Sequence, residues 1–445
     1  MPSDQPHRRI AVVGAGVSGL SCAWLLSQAH DVTLYEADGR LGGHSNTVDV
    51  SSSEGDIAVD TGFIVYNEPN YPNLTAMFDH LGVASKAAHM SFAVSVDGGA
   101  FEYSSHGAAG LFAQKRNLTS PRFWAMLADL KRFHREAPQD LPVLETSGIS
   151  LGEYLNQGGY GRMFMDHHLL PQAAAIWSAS SGQMADYPAA AFVKFYRNHR
   201  LLEVDMRPNW RTVDGGSRVY VSALKQAFGG QVRSGQAVRG VTRDAQGASV
   251  LTASGAERFD AVVLAVHADQ ALRLLETPTA EERRLLGAIP YQRNRAVLHR
   301  DVRQMPKRRA AWAAWNHVSH KDDDRAAGGV TYWMNQLQSL PGAPLMVTLN
   351  PLHEPRAEQV LAEFDYEHPV FNGAGLAAQQ QLWSLQGDRN IWFCGAWFGA
   401  GFHEDGLQAG LAVAEQLGGV RRPWSVADES GRIVLDPRPA LARAA

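Results

Sequence analysis

The sequence has few cysteines, no long apolar run and little net charge. Cys22 and Cys394 are the only cysteines among 445 residues. Both fall inside segments predicted to be regular secondary structure, which argues against a disulfide framework or a cysteine metal site. No run approaches the ~20 apolar residues that span a bilayer, so we expect no integral membrane protein. The net charge of -4 and the scattered basic residues give no electrostatic footprint for nucleic acid.

The length of the chain exceeds what one hydrophobic core usually organises, which predicts two interleaved domains. Hydrophobic residues make up 45% and charged residues 19% of the sequence, close to the average for globular proteins. Residues 1–9 are polar and lack the apolar core and cleavage site of a secretory signal. We therefore expect a cytoplasmic location.

The strongest signal is a glycine-rich loop at residues 14–19, between a predicted strand over Arg9–Val13 and an apolar helical stretch. Strand, glycine loop and helix in this order form the dinucleotide-binding fingerprint. Gly14 permits the tight turn, Gly16 lets the backbone approach a pyrophosphate, and Gly19 lets the helix pack close to the strand. The helix N-terminus offers N–H groups to the phosphates. The residues predicted to bind the dinucleotide in this loop are Gly14, Gly16, Val17, Ser18 and Gly19.

A second predicted strand, Asp31–Tyr35, ends in Glu36. An acid roughly 20 residues beyond the glycine loop is placed to accept hydrogen bonds from both adenosine ribose hydroxyls. The same carboxylate would repel a 2′-phosphate, which disfavours NADP. FAD and NAD share the adenosine half, so the fingerprint does not separate them.

The segment after the second strand does separate them. It reads Glu36-Ala37-Asp38-Gly39-Arg40-Leu41-Gly42-Gly43-His44-Ser45. This segment resembles the glutamate, arginine and glycine-glycine signature of flavin-containing amine oxidases, protoporphyrinogen oxidases and phytoene desaturases. In that family the paired glycines bring backbone amides beside the FAD diphosphate and ribityl chain. The resemblance implies an FAD cofactor and contacts from Ala37, Arg40, Gly42, Gly43, His44 and Ser45.

His44 departs from this pattern, because many family members have arginine there. A permanent positive charge is thereby replaced by a group that titrates around pH ~6.5. His44 either hydrogen-bonds a phosphate or loop carbonyl, or faces the isoalloxazine and tunes its reduced anion. Residues 60–63 follow another apolar strand and resemble the family segment beside the flavin ring, which implies cofactor contacts from Thr61 and Gly62. Alternatively, Asp60 only closes a turn.

The C-terminal half carries two further matches. Residues 232–241, 248–253 and 259–266 read as strands, and the resemblance places Val238 near the adenine and His267 where the chain leaves the sheet toward the cofactor. Residues 390–410 read as a strand, a glycine-rich loop and a helix that starts near Glu404 or Asp405. In the family this helix N-terminus points at the flavin pyrimidine edge, where it stabilises negative charge. The cofactor contacts implied here are Gly395, Gly406 and Leu407.

These motifs predict an α/β fold with a Rossmann-like FAD-binding domain interleaved with an α+β substrate domain. The FAD-binding domain is predicted over residues 1–85, 210–275 and 385–420. The substrate domain is predicted over residues 86–209 and 276–384, with a C-terminal tail at 421–445. Cys394 lies in the strand before the glycine-rich loop and outside the family's attachment motif, so we expect FAD to be noncovalent.

The predicted substrate domain is rich in aromatic residues, which favours a hydrophobic substrate. Its segment 192–200 combines aromatic and basic residues, as in an interfacial helix, although a solvated helix that covers the core fits it better. Residues 166–168, Asp-His-His, do not predict a metal site, because adjacent histidines diverge on a helix. The candidate catalytic residues are His403 and Glu404, followed by His44 and Tyr66. Alternatively, Glu404 or Asp405 only caps the helix.

Three segments sharpen the resemblance: residues 42–45, 60–67 and 401–406. They look like a bacterial group of predicted NAD/FAD-binding proteins that accompany cyclopropane-fatty-acid-synthase-like methyltransferases, some implicated in desaturating methylated fatty acyl chains toward furan fatty acids. The resemblance implies an unsaturated or methyl-branched fatty acyl substrate, free or in a phospholipid. It also implies a lipid methyltransferase partner and peripheral contact with the inner face of a membrane. A flavin-containing amine oxidase and a nonenzymatic flavin-binding partner of the methyltransferase are the alternatives.

Overall fold

The computed structural model describes residues 7–53, 55–177, 179–202, 209–320 and 329–435. The strands in these residues are β1 Arg9–Val13, β2 Asp31–Tyr35, β3 Thr47–Ser52, β4 Gly55–Asp60, β5 Tyr66–Asn67, β6 Ser85–Ala87, β7 Phe92–Val96, β8 Phe101–Ser104, β9 Trp210–Val213, β10 Gln231–Arg233, β11 Gly240–Asp244, β12 Gly247–Thr252, β13 Gly255–Phe259, β14 Ala261–Leu264, β15 Tyr291–His299, β16 Trp315–Ser319, β17 Gly329–Trp333, β18 Met346–Leu349, β19 Val360–Pro369 and β20 Ile391–Phe393. The α-helices are α1 Val17–Leu26, α2 Pro72–Leu81, α3 Gly107–Leu111, α4 Pro121–Ser147, α5 Leu151–Gln157, α6 Arg162–Phe164, α7 Leu170–Trp177, α8 Ser181–Ala185, α9 Ala189–Asn198, α10 Arg218–Ala227, α11 Ala268–Leu274, α12 Ala280–Leu286, α13 Met334–Leu337, α14 Gly373–Gln379 and α15 His403–Gly418.

A parallel sheet with strand order β10-β2-β1-β14-β20 forms one layer. The central strand β1 pairs with a neighbour on each side, so that Ile10 lies opposite Val32 and Ala261. Strands of a parallel sheet are covered on both faces and read as apolar runs, which is why β1 and β14 are almost entirely Val, Ile, Leu and Ala. Helices α1 and α15 pack against one another beside this sheet.

A larger mixed sheet has the order β19-β15-β18-β17-β16-β7-β8. Its strands pair antiparallel except β16 and β7, which run parallel. The parallel sheet draws its strands from residues 9–35, 231–264 and 391–393, and the mixed sheet draws its strands from 92–104 and 291–369. The chain thus passes repeatedly between the two sheets, and the α/β Rossmann-like fold with an interleaved second region is confirmed. The domain boundaries stay a prediction.

Two of the predicted strands are divided in the structure. Residues 232–241 contain the end of β10 and the start of β11, with an irregular segment between them. Residues 259–266 contain the end of β13 and all of β14, which belong to different sheets. The break falls at Asp260, whose carboxylate accepts a hydrogen bond from the Arg9 amide at 2.7 Å and whose own amide donates to the Arg9 carbonyl. The Asp260 side chain thus takes the place of a backbone carbonyl as the acceptor for the Arg9 amide.

The predicted helices begin earlier than the sequence indicated. Helix α1 starts at Val17 with Gly16 as its N-cap. Helix α15 starts at His403, and the Asp405 carboxylate accepts a hydrogen bond from the Phe402 amide at 2.7 Å. A carboxylate at the third helical position satisfies one of the free N–H groups of the first turn. Asp405 therefore caps the helix, as one of the alternatives had it.

The aromatic and basic segment at 192–200 overlaps helix α9. Phe192 and Tyr196 are buried, while Lys194 and Arg197 are exposed. The aromatic face of α9 packs against α4, so this helix covers the core and does not offer its aromatic residues to a membrane. Residues 166–168 lie in a π-helical turn, and the structure shows no group of metal-binding side chains within the described ranges. In those same ranges, no helix combines the length and apolar character that crossing a membrane requires.

Candidate active site

A cavity of about 1380 Å³ opens at the carboxyl ends of β1, β2 and β14. One end is formed by the glycine loop after β1, and the other by aromatic side chains of α7 and α9. In open parallel sheets, ligands bind at the carboxyl ends of the strands. The site residues predicted from the sequence that line it are Gly14, Gly16, Val17, Ser18, Glu36, Ala37, Arg40, Gly42, Gly43, His44, Thr61, Gly62, Val238, Gly395 and His403.

The glycine loop after β1 is shaped by close backbone contacts. Gly14 has φ +100°, and a Cβ there would lie 2.6 Å from the Ala265 carbonyl oxygen. A Cβ at Gly19 would lie 1.8 Å from the Gly14 carbonyl oxygen, which no side chain tolerates. At Gly16, by contrast, a Cβ would meet no protein atom within 4 Å. Because Gly16 lines the cavity, a side chain there would occupy space that the loop leaves for a ligand.

Glu36 lies at the end of β2 and faces the glycine loop. Its carboxylate accepts hydrogen bonds from the Ala15 amide at 2.8 Å and the Asp38 amide at 2.9 Å. The Gln236 amide donates to the Glu36 backbone carbonyl, which brings the segment of Val238 to the same end of the cavity. This is the geometry of the adenosine half of a dinucleotide site.

A second glycine loop faces the first. The Gly42 amide donates to the Ala15 carbonyl at 2.8 Å. A Cβ at Gly43, which has φ +56°, would lie 3.1 Å from the Gly16 Cα atom. Arg40 donates from Nη2 to the Gly43 carbonyl at 2.7 Å and also lines the cavity. Two backbone loops with an arginine beside them suit a diphosphate, which takes N–H donors and positive charge.

The segment after β4 forms the wall next to His44. A Cβ at Gly62 would lie 2.2 Å from the His44 carbonyl oxygen, so glycine is required there. The Thr61 hydroxyl lies 2.7 Å from the Tyr366 hydroxyl. Asp60 is fully buried and does more than close a turn, because its carboxylate accepts hydrogen bonds from Ser217 and Gln338. Burial raises the pKa of Asp60 to about 6.

His403 begins helix α15 at the cavity wall. Its ring stacks on Phe63 with the ring centres 3.9 Å apart, and its Nε2 atom lies 2.7 Å from the Tyr220 hydroxyl. Tyr220 in turn contacts the Ser45 hydroxyl. Burial lowers the pKa of His403 to about 3, so the imidazole is neutral at physiological pH. The ring is therefore a fixed neutral group at the helix N-terminus.

His44 belongs to a group of aromatic and histidine rings. Its ring centre lies 5.0 Å from that of Tyr366, 5.2 Å from that of His368 and 6.4 Å from that of His267. Its Nε2 atom is buried and finds no hydrogen-bond partner within the described residues. Burial lowers the pKa of His44 well below its ordinary value, and the neighbouring imidazole of His368 acts in the same direction. His44 is thus also neutral, and its Nε2 atom forms no hydrogen bond with the described residues.

Six of the predicted site residues do not line the cavity. Gly19 packs against the loop after β1, beside the Gly14 carbonyl. Gly406 lies where α15 meets α1, and its carbonyl accepts a hydrogen bond from the Ser18 hydroxyl. Leu407 is fully buried. The remaining three are Ser45, Tyr66 and Glu404.

Tyr66 packs in the core against Tyr71 and Phe78. Glu404 is fully buried, and its carboxylate accepts hydrogen bonds from the Asn73 and Leu74 amides at 3.0 Å each. These amides belong to the first turn of α2, so Glu404 ties α15 to the N-terminus of α2. Catalytic roles for Glu404 and Tyr66 stay predictions, and the structure gives both residues a packing function.

Sequence reasoning missed Tyr220, Tyr366 and His368. Tyr220 lies on α10, in its first turn. Tyr366 and His368 lie on β19, two residues apart and on one face of the strand. That spacing of aromatic and histidine residues was the available signal. Asn294 donates from Nδ2 to His368 Nδ1 at 2.8 Å, which leaves the His368 proton on Nε2.

The other end of the cavity is largely apolar. Its walls bring side chains from α4, α7, α9 and several strands together. The apolar lining residues there are Val65, Met90, Phe92, Leu130, Ile176, Trp177, Phe195, Leu201, Trp210, Trp315, Tyr332 and Leu349. The cavity thus joins a polar nucleotide-shaped end to an apolar end of substantial size.

A Rossmann-like sheet with two facing glycine loops, an acid at the end of β2 and an adjoining apolar end of the cavity, here called the apolar chamber, is the arrangement expected of a flavin-dependent oxidoreductase. Residues 17–326 match the family model described as flavin containing amine oxidoreductase. The match covers more than half of the chain, and the chain belongs to this family. Membership implies a flavin cofactor, and the room at Gly16 and the facing loop of Gly43 fit one.

Known relatives agree with this assignment. The chain is 40% identical over 80 residues to protoporphyrinogen oxidase 2, chloroplastic/mitochondrial, of Arabidopsis thaliana, a match that covers 18% of this chain and 15% of the relative. The chain therefore spans only a small part of that curated relative. The crystal structure of a CLA-producing fatty acid isomerase from P. acnes superposes with a TM-score of 0.65 at 16% identity, covering 93% of this chain and 99% of that chain. Cyclohexylamine oxidase from Brevibacterium oxydans IH-35A superposes with a TM-score of 0.66 at 14% identity, covering 93% and 100%. These structures show the shared fold.

Proposed function

We propose that this protein is an FAD-dependent oxidoreductase that dehydrogenates, desaturates or isomerises a hydrophobic fatty acyl substrate. The observation that carries the proposal is the single cavity that joins the nucleotide-shaped end to the apolar chamber. A substrate in that chamber lies next to whatever fills the nucleotide end. The fold shared with a fatty acid isomerase supports an acyl substrate.

The polar end suits FAD bound without a covalent link. Glu36 and the segment of Val238 would bind the adenosine, and Gly16, Gly43 and Arg40, which line the same cavity, would bind the diphosphate. Both cysteines are fully buried, and neither lines the cavity. A cysteinyl link to the flavin is therefore not part of the proposal.

The protein's own groups would handle the proton. Bound FAD would supply the acceptor for the hydride, at N5 of the flavin. Desaturation also removes a proton from the neighbouring carbon, which needs a neutral base nearby. His44 and His403 both line the cavity, and burial lowers the pKa of each so that each stays neutral. His403 already contacts Tyr220 through Nε2, so His44 is the better acceptor.

The test is anaerobic stopped-flow absorbance of the purified flavoprotein. It is mixed separately with monounsaturated or methyl-branched acyl lipids and with a panel of amines. We expect bleaching of the flavin band by lipids and none by amines. Product analysis then separates dehydrogenation from redox-neutral isomerisation, which changes the double-bond position without net bleaching. A protein that retains no FAD after reconstitution would overturn the proposal as a whole.

An amine oxidase is the second candidate, favoured by the family model and by the shared fold with cyclohexylamine oxidase. Trp397 lines the cavity and would supply one aromatic wall for an amine, whereas Phe398 is buried outside it. Bleaching by amines alone would establish this candidate and remove the acyl one. If neither lipids nor amines reduce the flavin or are turned over, the remaining candidate is a nonenzymatic partner of a lipid methyltransferase.

We also propose peripheral contact with an anionic membrane. Leu118 and Trp124 are 50% and 49% exposed at the start of α4, and the basic residues Lys115 and Arg122 are exposed beside them. Exposed tryptophan next to basic residues is typical of interfacial segments. Flotation with phosphatidylglycerol vesicles should carry the wild type, and Trp124→Ala with Leu118→Ser should reduce the floated fraction. Equal flotation of both proteins would exclude this surface.

A further inference from the structure

The exposed rim of the apolar chamber carries cationic and polar side chains. The lining residues that are also exposed at this end are His89, Ser105, His106, Arg200 and Asn209. No acidic residue occurs among them within the described part of the chain. Among the described rim residues, an arginine and two histidines without a carboxylate favour an anion.

Arg200 stands out among the arginines that line the cavity. Its guanidinium makes no hydrogen bond or ion pair with any described residue. The other lining arginines have partners: Arg40 the Gly43 carbonyl, Arg273 the Asp269 carboxylate and Arg293 the Glu367 carboxylate. With no partner among the described residues, the Arg200 guanidinium can offer its donors to a ligand at the cavity rim.

The backbone at Arg200 is also unusual. Its φ is +53°, in the left-handed region that a residue with a side chain adopts at a cost of about 1 kcal/mol. The residue follows helix α9 directly, after the C-cap His199. Glycine is the common choice in this position, yet the chain places a charged residue there. The conformation turns the chain at the cavity rim.

An aromatic wall connects this rim to the start of α15. Phe195, one turn before His199 on α9, has its ring centre 4.4 Å from that of Trp177 and 5.0 Å from that of Phe402. Phe402 immediately precedes His403. All four of these residues line the cavity, so one continuous apolar surface leads from the proposed reaction site toward Arg200.

We propose that Arg200 binds the anionic head group of an amphipathic acyl substrate whose chain lies along this wall. The ligand chemistry is an oxyanion, either the carboxylate of a free fatty acid or the phosphate of a phospholipid. A guanidinium binds either one through two parallel hydrogen bonds. This inference rests on the proposed function, because it names the part of the acyl substrate that the cavity rim recognises.

Ligand binding without turnover tests the proposal. Trp177, Trp210 and Trp315 line the chamber, so quenching of tryptophan fluorescence reports an occupied chamber. The probes are cis-9-octadecenoic acid, the alcohol of the same chain and oleoyl lysophosphatidic acid. We expect the wild type to bind at least one oxyanion probe about tenfold more tightly than the alcohol, which is the effect of one charge-assisted hydrogen-bonded pair.

Arg200→Gln should reduce that preference to about onefold, because the alcohol keeps its chain contacts while the oxyanion loses its partner. Arg200→Lys should retain part of it. Arg200→Gly accepts the left-handed backbone without strain and guards against a folding effect, so it should behave as Arg200→Gln does. Arg197→Gln is the matched control, since Arg197 lies on α9 three residues before Arg200 and is exposed outside the cavity lining.

The outcomes separate the two proposals. A preference for the oxyanion that survives in Arg200→Gln and Arg200→Gly overturns the role of Arg200 and leaves the acyl function standing. Failure of all three probes to bind the wild type overturns the acyl function itself. The probe whose affinity depends on Arg200 identifies the source of the anion, with the fatty acid indicating a free acid and the lysophospholipid a membrane lipid.

Discussion

The Nε2 atom of His403 lies 2.7 Å from the Tyr220 hydroxyl, and this contact joins the first turn of α15 to α10. Tyr220 is buried and His403 is half-buried, and Tyr220 also contacts the Ser45 hydroxyl. Three segments that are distant in sequence therefore meet through two hydroxyl groups and an imidazole. The position of His403 in the cavity depends on a side chain that lies outside the cavity.

We expect Tyr220→Phe to destabilise the protein by about 1 kcal/mol, because it removes the closer hydrogen-bond partner of the His403 Nε2 atom and leaves the Ser45 hydroxyl, 3.4 Å away. Urea denaturation of the two proteins measures the difference. Tyr187→Phe is the control, since Tyr187 is buried and its hydroxyl makes no hydrogen bond with the described residues. Equal losses for the two variants would mean that the contact with His403 contributes nothing specific.

The facing glycine loops lead to a second prediction. Gly16→Ala should weaken FAD binding about tenfold or more by placing a methyl group in the space for the cofactor, while leaving the thermal midpoint of the apoprotein unchanged. Gly39→Ala is the control, because Gly39 does not line the cavity and a Cβ there also meets no protein atom within 4 Å. This variant should retain full flavin. The ratio of flavin to protein absorbance after purification gives the answer, and a fully yellow Gly16→Ala protein would contradict the proposed cradle.

Gly19→Ala should behave differently from Gly16→Ala. Its Cβ would lie 1.8 Å from the Gly14 carbonyl oxygen, so strand β1 and helix α1 must separate. We expect a loss of about 3 kcal/mol of stability before any effect on the flavin is considered. Circular dichroism melting of the apoprotein is sufficient, and an unchanged midpoint would show that the contact relaxes easily.

Substitution of the two cavity histidines tests the proton acceptor. We expect His44→Asn to slow anaerobic flavin reduction by roughly 100-fold, as for loss of a general base, and His403→Gln to have a smaller effect. The pKa of His44 lies well below its ordinary value. Protonation of His44 should therefore not slow flavin reduction in the wild type as the pH falls from 9 to 5. Identical rates and pH profiles for wild type and His44→Asn would exclude His44 from the chemistry.

His199 should make the protein sensitive to acid. Burial lowers its pKa to about 3, whereas the unfolded chain binds a proton near pH 6.5. Between these values the unfolded state takes up the proton and the native state does not, so stability is lost as the pH falls. Between pH 7.5 and 5, the free energy of unfolding measured by chemical denaturation should fall by about 2 kcal/mol less in His199→Asn than in wild type. The same pH dependence in both proteins would show that His199 titrates normally in the fold.

Much of the dinucleotide half was predictable, because its signals are local. The strands β1 and β2 and the loops at Gly14 and Gly43 follow from glycine positions and apolar runs that occupy consecutive residues. Those patterns also placed Glu36 beside the first loop. A short motif carries this information since the turn, the strand and the helix N-terminus are built from neighbours in the sequence.

The chemistry around His44 was less accessible. Its neighbours Tyr366 and His368 lie more than 300 residues away on a strand of the other sheet, and only the pairing of β19 with β15 brings them to the cavity. Glu404 shows the opposite case. Its place beside His403 in the sequence suggested chemistry, but on a helix adjacent residues point in different directions, and Glu404 points into α2.

The order of strands in the parallel sheet has a consequence for biosynthesis. Strand β1 is made first, yet its neighbour β14 is more than 240 residues later, and β20 and α15 come close to the end of the described chain. At ~5–20 residues per second, about half a minute of translation separates the glycine loop from the helix that packs against it. The apolar strands of the nascent N-terminal segment therefore stay uncovered during this time. We expect the segment to depend on chaperones until α15 leaves the ribosome.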